Sequence, residues 1–321
     1  MNEIMSNALL SLACNLRAGG QLLANLLQDT ATAPASAPAE HLPQALIIAL
    51  PLGIAAFIIW GIRAVIRPEV LSLAKTPGRP NTLSGFHIGL VLLLWLLAQV
   101  LGLMLVRMAM GLPALPPKEP PDPSMATVLL KVNVLNALIS SAVMAAVGLL
   151  VAKWTFAHGL ARGLGLSGRH WLYDCLRALL AWLMIFPLCL GVLHLTDMLF
   201  KAINHADWVQ EHVLLSAMKS LDDPWRVMIF LVAGVTGPIA EEIFLRGLVQ
   251  SLLRRVFGKP WLAIGAASAF FAMMHISNPN SIPALFVLAI VLGYLYERTG
   301  RLVAPILLHI VFNCINLLLV M

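Results

Sequence analysis

Charge is scarce in this chain. Asp, Glu, Lys and Arg make up 11% of its 321 residues, and 60% are hydrophobic; soluble globular domains carry roughly 25% charged residues. That balance excludes an ordinary water-soluble domain. Cysteine offers no framework either. Cys14, Cys175, Cys189 and Cys314 show no CxxC or CxxH spacing, which argues against a zinc ribbon or a disulfide scaffold and leaves them as small apolar fillers. The compact zinc-protease signature HExxH is absent, and no fixed-period repeat points to a solenoid.

Long apolar runs are what the chain has instead. A membrane-spanning helix needs about 20 mostly apolar residues. Candidates are Ala45 to Ile62, Ile88 to Val106, Val132 to Ala152, Ala178 to Leu195 and Val227 to Leu253. Three shorter or interrupted ones follow, Trp261 to His275, Pro283 to Tyr296 and Leu302 to Met321. The expectation is an all-α polytopic membrane protein of about eight transmembrane helices.

The basic balance, +6 overall, reads best loop by loop, because orientation follows local Lys and Arg. Arg63, Arg67, Lys75 and Arg79 follow the first span; Lys153, Arg162, Arg169 and Arg177 follow the third. Arg254, Arg255 and Lys259 follow the fifth, and Arg298 and Arg301 the seventh. The alternate loops are neutral or acidic. This pattern places the basic loops in the cytoplasm and both termini outside, and assigns the positive charge to topology and lipid headgroups rather than nucleic acid. MNEIMSNALLSLACNLRAGGQLLANLL lacks a positive n-region, so an amphipathic surface helix is expected there rather than a cleaved signal. Three regions result: 1–43, an amphipathic segment and Ala/Pro linker; 44–225, helices one to four; 226–321, helices five to eight.

The fifth helix carries the anomaly. RVMIFLVAGVTGPIAEEIFLRGLVQSLL sets Glu241, Glu242 and Arg246 where a span should be apolar. Each such charge costs about 2.5–3.5 kcal/mol at mid-bilayer on insertion scales. Asp223 is expected to cap this helix with Pro224 at its first position. Gly237-Pro238 should bend it and free a backbone carbonyl one turn earlier, near Gly234. Irregular backbone at membrane depth is tolerated only where protein or a watery cavity receives it, so kink and carboxylates point to one polar cavity. Glu242 and Arg246, at i and i+4, can pair. Glu241 lies about 100° around the helix and lacks a partner at that spacing.

Companions for Glu241 are few. His275 closes AFFAMMH one turn after Phe271, and His309 precedes Asn313 by one turn in RLVAPILLHIVFNCIN. Intramembrane histidines on two helices, with an amide and an unpaired carboxylate, indicate function.

Glu241-Glu242-Ile-Phe-Leu-Arg246, Phe271-Ala-Met-Met-His275 and His309-Ile-Val-Phe-Asn313 resemble the EExxxR, FxxxH and HxxxN motifs of the CAAX-protease and bacteriocin-processing (CPBP) intramembrane protease family. The resemblance covers about Gly237 to Asn316. It implies an eight-helix fold with a catalytic cavity among the C-terminal four helices, and peptide-bond hydrolysis inside the membrane. Glu241 and His275 would activate a water as general base; His309 and Asn313 would donate to the oxyanion of the tetrahedral intermediate; Glu242 and Arg246 would support the helix. No serine or cysteine is placed as nucleophile.

The expected cofactor is none. Zinc held by Glu241, His275 and His309 is the alternative, since two His and one Glu form a known catalytic ligation. The expected partners are a membrane-associated protein or peptide substrate and the bilayer, in a bacterial inner membrane. Two other classes stay open at this point. A transporter would use the same groups along a pathway, though no paired halves are present. A scaffold or immunity protein would act by partner binding alone.

Overall fold

The computed structural model describes residues 44–320 except 68, 70, 74, 75, 77, 114–122, 168, 169, 206, 207 and 210–212. The expected N-terminal amphipathic segment and linker, 1–43, lie outside the described residues. All the described regular structure is helical, apart from one isolated bridge between Asn81 and Phe156. Each apolar run forms a helix: α1 Gln44–Ile66, α2 Gly85–Ala109, α3 Pro123–Thr155 and α4 Trp171–Ala202. After a short α5, Val213–Ser220, comes α6, one continuous rod over Asp223–Phe257. α7 is Pro260–Met273, α8 Ile282–Thr299 and α9 Val303–Val320. Six helices among the described residues are long and apolar enough to cross a membrane, and α7 and α9 are shorter apolar ones. This is a polytopic membrane protein. α5 and the last residues of α4 occupy what the hydropathy pattern reads as a loop.

Apolar side chains left outside, such as Ile58, Ile59, Leu93, Leu105, Leu179 and Leu180, line helix faces that only lipid can cover. Three packed clusters make up most of the inside of the described residues. Met144, Val151, Phe244, Leu248 and Phe271 join α3, α6 and α7. Ile185, Leu288, Leu292 and Leu308 join α4, α8 and α9. Val134, Met218, Ile229, Val232 and Leu317 close the other end. α6 therefore sits centrally, touching α3, α7, α8 and α9.

The basic loops come together, as a shared membrane face requires. Arg255 donates to the carbonyls of Asn81 and Leu83, Arg298 Nη1 to Ser72 O at 3.2 Å, and Trp261 Nε1 to Leu71 O at 3.2 Å. The α1–α2 connection is thereby tied across the ends of α6, α7 and α8. Arg301 Nε reaches the fully buried Asp174 Oδ2 at 2.6 Å. Leu164 and Leu302 are also fully buried, linked from Leu302 N to Leu164 O at 3.1 Å. Leu302, at the entry to α9, is thereby fixed inside the bundle, while Gly300 in the turn before it stays exposed. That placement brings His309, close to the start of α9, level with the middle of the much longer α6.

Candidate active site

α6 is not a uniform α-helix. Phe230–Thr236 and Ile243–Gln250 are π-helical, on either side of the α-helical Gly237–Glu242. Pro238 explains the first stretch: its ring cannot sit against the carbonyl four residues back, and it offers no N–H. The i to i+5 pattern relieves this, with Gly237 N bonding Val232 O. The carbonyls released there find partners on α9. Asn313 Nδ2 donates to Ala233 O at 2.9 Å, and Cys314 Sγ to Gly234 O at 3.7 Å. The expected freed carbonyl near Gly234 is therefore present, and α9 receives it. π-helical segments inside α-helices occur frequently at functional sites.

The start of α6 differs by one residue from expectation. Asp222 is the N-cap residue and makes no side-chain capping bond; Asp223 opens the helix and Pro224 follows.

The two carboxylates part as their spacing predicts. Glu242 is fully buried, and its Oε1 accepts from Arg246 Nη1 at 2.7 Å. Glu241 keeps 27% of its side chain exposed and forms no hydrogen bond among the described residues. What spacing along one helix could not give is the third group. His309, on α9, stands between them, with Nδ1 2.9 Å from Glu242 Oε1 and Nε2 3.8 Å from Glu241 Oε2. The first distance is a hydrogen bond donated to the carboxylate; the second is too long for one but fits a bridging water. Gly237 leaves space beside Glu241, since a Cβ there would come 4.0 Å from its Oε1.

Phe271 organises the histidines. Its ring lies edge-on to His309 at 5.8 Å and tilted against His275 at 4.9 Å, and the Arg246 guanidinium sits 5.0 Å from its centroid. His275 lies just past the end of α7 and donates from Nδ1 to Phe271 O at 3.0 Å, which leaves Nε2 without a hydrogen-bond partner among the described residues. No hydrogen bond or ion pair joins His275 to Glu241 or His309 among the described residues.

That arrangement bears on the metal alternative. Among the described residues no three His, Cys, Asp or Glu side chains gather as donors to one ion. Glu241 and His309 approach each other, His309 Nδ1 is taken by Glu242, and His275 does not join them. The residues as placed do not fit a three-ligand ion.

Several polar residues around the site escape motif reading: Gln250, Tyr296, Glu297 and, from the α1–α2 connection, Arg79. One signal was available. Polar residues recur every four positions from Glu242 through Arg246 and Gln250 to Arg254, well past the end of the recognised motif.

Comparison with known families agrees with the motifs. Residues 223–315 match the family described as Rce1-like, type II CAAX prenyl endopeptidase, a span that includes all of α6, α7 and α8 and both histidines. No curated protein and no solved structure matches the chain. In its C-terminal part this membrane protein matches the CPBP family of CAAX proteases, a match that supports a CAAX-type intramembrane endopeptidase in general.

Proposed function

We propose that the protein hydrolyses a peptide bond of a membrane-associated protein or peptide, with Glu241 as general base on water. The observation that supports this reading is the pair formed by the partly exposed Glu241 and Nε2 of His309, 3.8 Å apart. A water held by both would lose a proton to Glu241 and attack the carbonyl carbon. Glu241 would then return that proton to the departing amine, so no covalent intermediate is needed. His275, with Nε2 free, would orient the water or share its proton.

His309 and Asn313 would stabilise the oxyanion. Glu242 accepts from Nδ1 of His309, so Nε2 would donate to the oxyanion only when the ring carries both protons. Asn313 holds Ala233 O with one amide hydrogen and has a second to offer. Glu242 and Arg246 set the orientation of His309. A preorganised donor of this kind contributes about 3–4 kcal/mol to such a step.

The family's name directs the substrate search to prenylated CAAX tails. The test is cleavage of a panel of membrane peptides, including a farnesylated CAAX peptide, by protein in proteoliposomes. Glu241→Gln and His309→Ala should each abolish cleavage. If the protein's cellular effect survived both replacements, the hydrolytic reading would give way to a scaffold; ion flux through the proteoliposomes would favour a transporter.

A further inference from the structure

The polar face of α6 continues beyond the motif, and α8 answers it in register. Arg246 Nη2 donates to Ala289 O at 3.2 Å and Gln250 Nε2 to Gly293 O at 3.0 Å. Arg254 Nε lies 3.9 Å from Glu297 Oε2. The first two partners stand 43 residues further along the chain, and Arg254 keeps that offset from Glu297. The two helices therefore run parallel without slip.

Carbonyls recur at every turn, so these bonds alone would not choose a register. Gly293 does. A Cβ at that position would come 2.7 Å from Gln250 Oε1, closer than side chains tolerate. Moving α6 by one turn would set the Gln250 carboxamide against Ala289 or Glu297 instead, where a side chain occupies the space.

The end of the ladder is closed from outside the two helices. Glu297 Oε1 accepts from Gln250 Nε2 at 3.2 Å and lies 3.8 Å from Arg79 Nη1. Arg79 Nη2 donates to Tyr296 O at 2.6 Å, and its guanidinium lies 3.5 Å from the Tyr296 ring centroid. Tyr296 OH is 3.3 Å from Ser251 Oγ, back on α6. Tyr296 also packs against Ile243 and Leu302, next to Glu242 and at the entry to α9.

We propose that Gln250, Gly293 and Glu297, closed by Arg79, form a register clamp that holds Glu241 and Glu242 at the height of His309. Gln250 and Glu297 are positioning residues in this scheme. Their role rests on the hydrolytic reading of Glu241 and His309. A misplacement of about 1 Å at a reacting group can lower the rate by about a hundredfold.

The test has one arm that needs no substrate. A Cβ built at Gly234 lies 2.9 Å from Cys314 Sγ, so Gly234→Cys should form a disulfide with native Cys314 when α6 stands at its proper height. With Cys14, Cys175 and Cys189 replaced by alanine, mild oxidant in membranes should give near-complete bonding. Adding Gln250→Leu or Glu297→Gln should lower the yield several-fold. In proteins without the reporter cysteine, the same changes should lower kcat on the farnesylated CAAX peptide by about tenfold or more, with KM unchanged. Gly293→Ala with Gln250→Ala, which refills the contact without the bond, should restore the melting temperature but neither kcat nor, in the reporter background, disulfide yield. Recovery of all three would reduce the residues to packing and overturn the clamp. Unchanged disulfide yield, or a low yield with normal kcat, would overturn it equally. If wild-type protein cleaves no peptide, the hydrolytic reading fails separately, and disulfide yield decides the clamp alone.

Discussion

Nδ1 of His309 lies 2.9 Å from Oε1 of Glu242, the same oxygen that Arg246 Nη1 reaches at 2.7 Å. One carboxylate oxygen thus serves two donors, from its own helix and from α9. Its charge does two jobs: it neutralises a guanidinium buried to 1% exposure, and it keeps a proton on the Nδ1 side of the histidine.

Glu242→Gln removes the charge and leaves Arg246 buried without a counter-ion, a change that destabilises by about 3–5 kcal/mol. Thermal unfolding in detergent should register it. Glu242→Met with Arg246→Met should be more stable than either single replacement, because no unpaired charge remains. Peptide cleavage should stay absent in the double variant, since His309 has lost the acceptor that orients it. Recovery of cleavage there would show that Glu242 acts only as the partner of Arg246.

Asn313 ties α9 to the π-helical part of α6 through Ala233 O at 2.9 Å. Asn313→Ala should lower stability modestly, by about 0.6–1.7 kcal/mol, the range for interhelical hydrogen bonds in membranes. Cleavage should fall far more, about a hundredfold, if the same amide also faces the oxyanion. Asn313→Ala with normal kcat would confine the residue to helix packing.

These two residues show where sequence reading reaches and where it stops. Apolar length is a property of contiguous residues, so each spanning segment is legible, and so is the pairing of Glu242 with Arg246 one turn apart. The disturbance at Gly237-Pro238 is legible because proline acts on its own helix. The acceptor role of Glu242 toward His309 joins residues on different helices, and no spacing records it. The same holds for Arg79, whose loop reads as a topological signal until its guanidinium is found against Tyr296 and Glu297. The depth of His309 depends on Leu302, at the entry to α9, being held inside the bundle against Leu164, again a tertiary fact.

That entry to α9 supplies a separate prediction. Gly165 has φ +69°, a left-handed conformation that glycine adopts without strain, and a Cβ there would run into Gly300 O and the Arg301 Cα. Gly165→Ala should therefore destabilise by about 1–3 kcal/mol. Gly265→Ala is the control: it lies in α7 with open space around a built Cβ, and alanine favours a helix by up to about 1 kcal/mol there. Equal melting temperatures for the two variants would mean the 164–167 segment does not hold the entry to α9.

Metal removal tests the arrangement around Glu241 from another side. A catalytic zinc takes three protein ligands with N and O at about 2.0–2.2 Å. Here Glu241 and His309 supply two donors, Glu242 is taken by Arg246 and Nδ1 of His309, and no three such side chains gather to hold an ion among the described residues. Arg246, hydrogen-bonded to Glu242 and to Ala289 O, is also close by, and its positive charge disfavours a second cation. Cleavage by purified protein is therefore expected to survive ortho-phenanthroline at a concentration that strips zinc from a control metalloprotease. Elemental analysis should find well under one zinc per chain. Inhibition that added zinc reverses would instead require His275 to swing toward the pair, which its bond to Phe271 O at 3.0 Å opposes.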